Sequence, residues 1–290
     1  MCGHSTDKVA NGSHWTRIIK PRMGLFNLNL NDVWRHRDLI GLFVRRDFVS
    51  VYKQTVLGPL WFLIQPIANT LVYTVIFGNL AKLSSDGLPR TLFYFSGSML
   101  WQYFSTCVIK TSDTFSANAS IFGKVYFPRL TAPISNVVTN LITLGIQFAL
   151  FLLLLTYFML TGTPVRPNLA VLGFPLILLC MAALGLGTGI IVSSITTKYR
   201  DLRQLISFGV HLWMYATPVV YPLSQVPEKW RWIIVLNPMT PLLEGFRFAF
   251  LGTGTVDPRY FVIGGAATLS ILFLGILMFN RVERTFMDVV

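Results

Sequence analysis

The chain has 290 residues, 53% of them hydrophobic and only 12% charged, with a mean hydropathy of +0.59. A soluble domain carries about 25% charged residues, so this composition, with 23 phenylalanines, excludes an ordinary soluble fold and points to a polytopic membrane protein. The net charge of +12 does not by itself mean a nucleic-acid partner, and none is expected, because Lys and Arg gather in the cytoplasmic loops of membrane proteins.

Residues 1–30 begin MCGHSTDKVANGSHW and are polar. They lack an apolar run followed by a small-residue cleavage site, so they read as a disordered tail rather than a signal peptide. Residues 31–58 form the next unit. Over residues 32–53, helical spacing puts Leu39, Ile40, Phe43, Val44, Phe48 and Val51 on one broad face, with Arg35, Arg45, Arg46 and Lys53 opposite. Asp47 falls on the apolar side, and Leu42 and Val49 on the polar side. A basic amphipathic helix of this kind lies in the headgroup plane of a bilayer. It serves either as a simple anchor or as a contact for a partner.

The stretch VYKQTVLGPLWFLIQP, residues 51–66, turns the chain from that surface into the membrane. Gly58-Pro59 supplies the turn, because proline is well placed in the first turn of a helix. Trp61 suits headgroup depth. Gln65, Pro66 and Asn69 then fall within the first span, where polar groups are expensive against lipid. They are expected to face another helix or a watery path.

A bilayer core needs about 20 mostly apolar residues per helix. Six segments meet that condition, near residues 60–81, 92–109, 133–160, 168–195, 205–222 and 260–279. A seventh apolar stretch, 230–250, is cut by Asn237-Pro238 and Pro241 and carries Glu244 and Arg247. It reads as two short helices dipping into the membrane from one side, a geometry tolerated only where protein or water covers the backbone. The fold class is therefore all-α: six transmembrane helices, an N-terminal interface helix, and short re-entrant helices between spans five and six. With the N-terminus inside, 17 of the 24 Lys and Arg fall in cytoplasmic segments, which favours cytoplasmic N- and C-termini. The long N-terminal segment dominates this tally; without it the split is 8 to 7.

The loop NASIFGKVYFPRLTAP, residues 118–133, is cytoplasmic in that topology and unusually apolar. Ile121, Phe122, Val125, Tyr126 and Phe127 are flanked by Lys124 and Arg129. It is either a second surface helix against lipid or a docking element with aromatic anchors. In the fourth span, Gly185 and Gly189 form a GxxxG that permits close helix contact. On the outer side, residues 217–254 are rich in proline and aromatics. Tyr221, Trp230 and Trp232 suit stacking on sugar rings, and Glu244 and Arg247, three apart, can pair on one helical face. An ordinary lid or a gate at the mouth of a pathway would account for this segment.

No catalytic or metal-ligand spacing is present. There is no GxxxxGK[ST], the one Gly-Lys pair being Gly123-Lys124 followed by Val125, so no ATP site is expected in the chain. Cys2, Cys107 and Cys180 are far apart and suit buried bulk rather than a disulfide. His4, His14, His36 and His211 are scattered, and His211, within the fifth span, suits a hydrogen bond inside the bundle. Asp113, just past the second span and near Lys110, suits a structural ion pair.

Taken together, four blocks resemble the type-2 ABC exporter permeases, in particular the polysaccharide (O-antigen, capsule or teichoic acid) subgroup. They are RRDFVSVYKQTVLGPLWFLIQP with Tyr52, Leu57, Gly58, Leu60, Trp61 and Pro66; the loop around Phe122; KYRDLRQL; and TPVVYP with NPMTPLLEGFR. The resemblance covers residues 30–285, so that 59–285 would be the transmembrane domain of such a permease. It implies a homodimer in a bacterial inner (plasma) membrane that binds two copies of a separate ATPase subunit. ATP and Mg would reside in that subunit, with no cofactor in this chain. The implied cargo is an undecaprenyl-diphosphate-linked polysaccharide. Arg45, Arg46, Tyr52, Lys53, Gly58 and Trp61 would form the interface helix and elbow. Ile121, Phe122, Lys124, Tyr126, Phe127 and Arg129 would dock the ATPase. Tyr221, Trp230, Trp232, Glu244 and Arg247 would belong to the outer gate or pore. The rivals are a small-molecule exporter of the same type, a polyprenyl-sugar transferase, which would need acidic metal ligands in the spans, and a passive channel or scaffold, which would not need so apolar a cytoplasmic loop.

Overall fold

The computed structural model describes residues 30–53, 55–122, 124, 127–196 and 201–289. The expected tail therefore lies outside the described residues except for Leu30. So do Gln54, Gly123, Val125, Tyr126 and residues 197–200, as well as the side chain of Tyr52.

All regular structure among the described residues is helical. α1 (Leu30–Arg35) and α2 (Arg37–Tyr52) lead to a 3₁₀ turn, Gly58–Leu60, then α3 (Trp61–Tyr73) and a π-helical stretch, Thr74–Leu80. α4 (Arg90–Ser112) is followed by the short α5 (Thr114–Ala117) and α6 (Ala119–Phe122), and by α7 (Thr131–Leu160). A 3₁₀ segment, Leu169–Gly173, enters α8 (Phe174–Thr196). Then come α9 (Leu202–Tyr215), α10 (Glu228–Leu236), α11 (Met239–Leu251) and α12 (Pro258–Val289).

Among the described residues, four stretches are long and apolar enough to cross a bilayer: Gly58–Leu80, Thr131–Leu160, Leu169–Thr196 and Pro258–Val282. The two other expected spans differ for physical reasons. α4 has 23 residues but is too polar to qualify. It does not face outward: it packs against α3, α7, α8, α9 and α11, and 17 of its 23 residues are buried. Its serines satisfy themselves locally, Ser96 Oγ donating to Phe93 O at 2.8 Å and Ser112 Oγ to Ile109 O at 2.6 Å, so a polar sequence fits an apolar bundle. α9 was expected over residues 205–222, but its helix stops at Tyr215. Pro218 steers the preceding Thr217 out of helical geometry, and 216–219 form turns. The remaining 14 residues rise about 21 Å, less than a hydrocarbon core of about 30 Å.

The GxxxG of α8 packs on α4. A Cβ added at Gly189 would lie 2.5 Å from Thr111 Cβ, and one at Gly185 2.9 Å from Cys107 Cβ. The intervening Gly187 faces the other way, where a Cβ would lie 2.7 Å from the Leu272 Cα of α12. Three glycines thus let one helix touch two neighbours at backbone distance.

The core has two main parts. The larger gathers α4, α7, α8 and α11, and includes the stacked and edge-on rings of Phe148, Phe151, Phe174, Phe246 and Phe250. The smaller joins Phe43 of α2, Phe115, Phe122, Phe127, Ile190 of α8 and Phe279 of α12. This second cluster marks one end of the bundle, the α2 end, and shows that α2 and the C-terminal part of α12 share it.

Candidate functional site

At the α2 end, the amphipathic reading of residues 32–53 matches the packing. Phe43 is buried and Leu39 half-buried against the second cluster, while Arg45 and Arg46 are exposed and α2 lies along α7. The Arg46 guanidinium sits over the Phe43 ring at 4.7 Å, donates to Asp47 Oδ1 at 2.7 Å, and reaches Asn118 Oδ1 at 3.4 Å. Arg46 thereby links α2 to the turn between α5 and α6.

Beyond exposed Lys53 the chain turns at Gly58, whose φ of +52° is left-handed. Space is not the reason for a glycine there, since a Cβ would meet nothing within 4 Å; the backbone conformation is. Pro59 then opens the 3₁₀ turn. Trp61 is half exposed, and Phe48 stacks on Phe62 at 5.7 Å, so α2 and α3 hold each other across the elbow.

Of the aromatic residues in the loop at 118–133, Phe122 and Phe127 are among the described residues. Phe122 and Phe127 are not open anchors but buried, packing on each other at 5.5 Å, with Phe127 edge-on to Phe43 at 5.7 Å. Arg129 lies 5.8 Å over the Phe122 ring. The rings are apolar, and α2, α5 and α12 enclose them more completely than a flat surface would. Among the described residues of the loop, Ser120 and Lys124 are exposed and Ile121 and Arg129 are half-buried.

At the opposite, α11 end, α10 and α11 are separate helices broken at Asn237-Pro238. Trp230 and Trp232 are exposed on α10, and Tyr221 is half-buried with its hydroxyl donating to Tyr215 O at 3.2 Å. Glu244 and Arg247 pair at 3.3 Å but are each only 2% exposed, so they lie inside the fold and not along an open surface. Arg247 Nη1 donates to Pro218 O at 2.6 Å and Nη2 to Val219 O at 2.7 Å. Its guanidinium stands 3.9 Å from the centre of the Phe93 ring of α4. Glu244 Oε2 accepts from the Thr255 backbone N–H at 2.9 Å. Burial pulls the Arg247 pKa below the usual arginine value, and the Glu244 carboxylate opposes that pull. Asn237 Nδ2 donates to Thr217 Oγ1 at 2.7 Å. The blocks TPVVYP and NPMTPLLEGFR are thus one built unit: the α9 turn exposes two carbonyls, and Arg247 caps both.

Two other residues sit differently from the sequence expectation. Asp113 pairs with Arg203 of α9 at 2.7 Å rather than with the nearby Lys110. His211 is exposed on α9 and bonds within its own helix, Nδ1 to Ser207 O at 2.6 Å. Its expected place inside the bundle is therefore corrected.

Comparison with known proteins accords with this architecture. Residues 38–251 match the family model described as ABC-2 type transporter. The chain is 30% identical over 254 residues to the O-antigen export system permease protein RfbA of Klebsiella pneumoniae, an alignment covering 87% of this chain and 95% of that protein. It is 28% identical to the protein of the same name from Myxococcus xanthus, covering 89% and 98%. To the polysialic acid transport protein KpsM of Escherichia coli it is 22% identical, covering 82% and 91%. The chain belongs to the ABC-2 type transporter family, as a multi-pass permease homologous to O-antigen and polysialic acid export permeases.

Proposed function

We propose that the chain is the membrane subunit of an exporter that moves a lipid-linked polysaccharide across a bacterial inner membrane, driven by ATP hydrolysis in a separate subunit. The observation that carries this reading is the match to an O-antigen export permease along 95% of that protein's length. In this reading six segments cross the membrane. α4 does so inside the bundle, and α9 does so together with the turn that follows it. The α2 end faces the cytoplasm, and α10 and α11 are the re-entrant pair at the outer face.

The functional dimer would bring two copies of α3 and α9 together around the pathway. The exposed apolar strip Leu205, Phe208, Leu212 and Tyr215 on α9, spaced at three and four residues, supports that placement. Trp230 and Trp232 would meet the polymer at the exit. The ATPase would seat on the exposed cations of the α2 end, Arg45, Lys53 and Lys124, with Ile121 beside them. The buried Phe122–Phe127 pair would transmit its movement to α2 and α12. ATP and Mg belong to that partner.

The test is purification of the tagged chain from its own cells in mild detergent, with copurifying proteins identified and ATPase activity assayed. A stoichiometric P-loop subunit and measurable ATPase activity are expected. A preparation with neither, even after gentle crosslinking, would overturn the reading.

A further inference from the structure

Polar side chains converge where α3, α4 and α7 meet. On α4, Gln102, Thr106 and Lys110 recur every four residues and share one face. On α7, Asn140 and Thr143 face them, and Gln65 comes from α3. These side chains line a cavity of about 120 Å³. Lys110 lies two residues from the end of α4, at the α2 end of the bundle, and Gln102 lies about 12 Å deeper along the helix. The cavity therefore runs from the bundle's end inward, between two membrane-crossing stretches.

The chemistry of the lining is one-sided. Lys110 Nζ has three donors, and among the described residues it spends one on a neutral acceptor, Asn140 Oδ1, at 3.2 Å. The cavity lining contains no carboxylate. Asp47, the acid whose field reaches Lys110, is held by Arg46 at 2.7 Å. The Tyr103 hydroxyl, in the same wall, is buried beside the Cys107 thiol. Lining amides already have partners, Gln102 donating to Thr106 Oγ1 at 3.2 Å and Asn140 Nδ2 to Cys107 Sγ at 3.6 Å. Lys110 is therefore the group left with donors to spare, and a cation in that state is costly in an apolar bundle unless something satisfies it. An anion with several acceptor oxygens does so.

We infer that this cavity binds the phosphate or diphosphate group of an anionic lipid, with Lys110 as its charge partner. A lipid is favoured over a soluble anion because α3, which supplies Gln65, turns Ile64, Ile67 and Leu71 outward beside it. A tail can lie along that apolar surface while the headgroup enters. The assignment to an export cargo rests on the function proposed above; the assignment of an anionic lipid headgroup rests on the cavity itself.

The experiment uses the full chain with its copurifying subunits in lipid nanodiscs. The probe is a sugar-free long-chain polyprenyl diphosphate, and binding is followed by native mass spectrometry and by thermophoresis. Wild type is expected to bind, and Lys110→Gln to bind at least tenfold more weakly, as befits loss of a charge-assisted hydrogen bond. Lys110→Arg, which keeps the charge, is expected to retain most of the affinity. Thr106→Val is a second, milder variant, expected to weaken binding a few fold. Thermal unfolding of each variant verifies that the fold is intact. Unchanged affinity in folded Lys110→Gln would overturn the site. Inorganic diphosphate that displaces the lipid at equal concentration would overturn the lipid assignment and point to a soluble anion. Copurification of an ATPase with unchanged Lys110→Gln binding would overturn the site while leaving the exporter reading standing. Lys110-dependent lipid binding without any ATPase would support the site and overturn the exporter.

Discussion

Gln147 of α7 donates from Nε2 to the Phe62 carbonyl at 3.2 Å. That carbonyl is the one deprived of its helical partner by Pro66, four residues later, which has no N–H. An apolar environment does not hydrate a freed carbonyl, so the glutamine and the proline form a matched pair across two helices. Gln147→Leu should cost about 1–2 kcal/mol, read by thermal unfolding in detergent. In a Pro66→Ala background the helix supplies the missing N–H, and the same change should cost little. An equal cost in both backgrounds would show that the glutamine acts elsewhere.

The same pair shows how much of the molecule was legible in its sequence. Pro66 marks a break that must be covered, and it is buried, whereas Gln65 beside it is exposed at the edge of the cavity; Gln147, 85 residues away, is not signalled locally at all. The amphipathic α2, the Gly58-Pro59 elbow and the break at Asn237-Pro238 were readable because proline, glycine and period are local signals. Burial was not. In a membrane protein both the inside and the lipid face are apolar, so Leu71 and Val75, exposed on α3 and the π-helical stretch, resemble Leu92 and Phe93, buried on α4. For the same reason the apolar loop at 118–133 fits a helix against lipid, aromatic anchors for a partner, or the burial that Phe122 and Phe127 show. Arg247 was paired correctly with Glu244, its neighbour on the helix, but its carbonyl partners lie 28 and 29 residues away.

Arg247 is the residue whose loss should harm the α11 end most. Replacing it with Met leaves Glu244 buried without its cation and frees the carbonyls of Pro218 and Val219. Breaking a buried pair from one side costs about 3–5 kcal/mol. Arg247→Lys should recover little of this, because one ammonium does not reproduce the planar fork that spans both carbonyls. Size-exclusion profiles and thermal unfolding of the three chains give the order; a stable Arg247→Met chain would contradict it.

The glycines of α8 allow a test with its own control. Gly189→Ala puts a methyl where Thr111 stands at 2.5 Å, and should destabilise by about 1–3 kcal/mol through overpacking. Gly145→Ala on α7 meets nothing within 4 Å. It should be neutral or stabilising by up to about 1 kcal/mol from helix propensity. Equal effects at the two positions would mean that the α4–α8 contact is looser than the distances indicate.

The α2 end separates support from contact. Phe122 is buried among Phe43, Phe115 and Phe127, so Phe122→Ala should cost about 3–5 kcal/mol and lower the yield of folded protein. Lys124, two residues on, is exposed, and Lys124→Glu should change stability by no more than about 0.5 kcal/mol. If the ATPase seats on this end, the charge reversal should still weaken copurification of that subunit and reduce export, because rim charges govern encounter and register. Assaying folded yield and subunit stoichiometry for both variants distinguishes the roles. A Lys124→Glu chain that holds its partner and exports normally would move the docking surface away from this loop, towards Arg45 and Lys53 on α2.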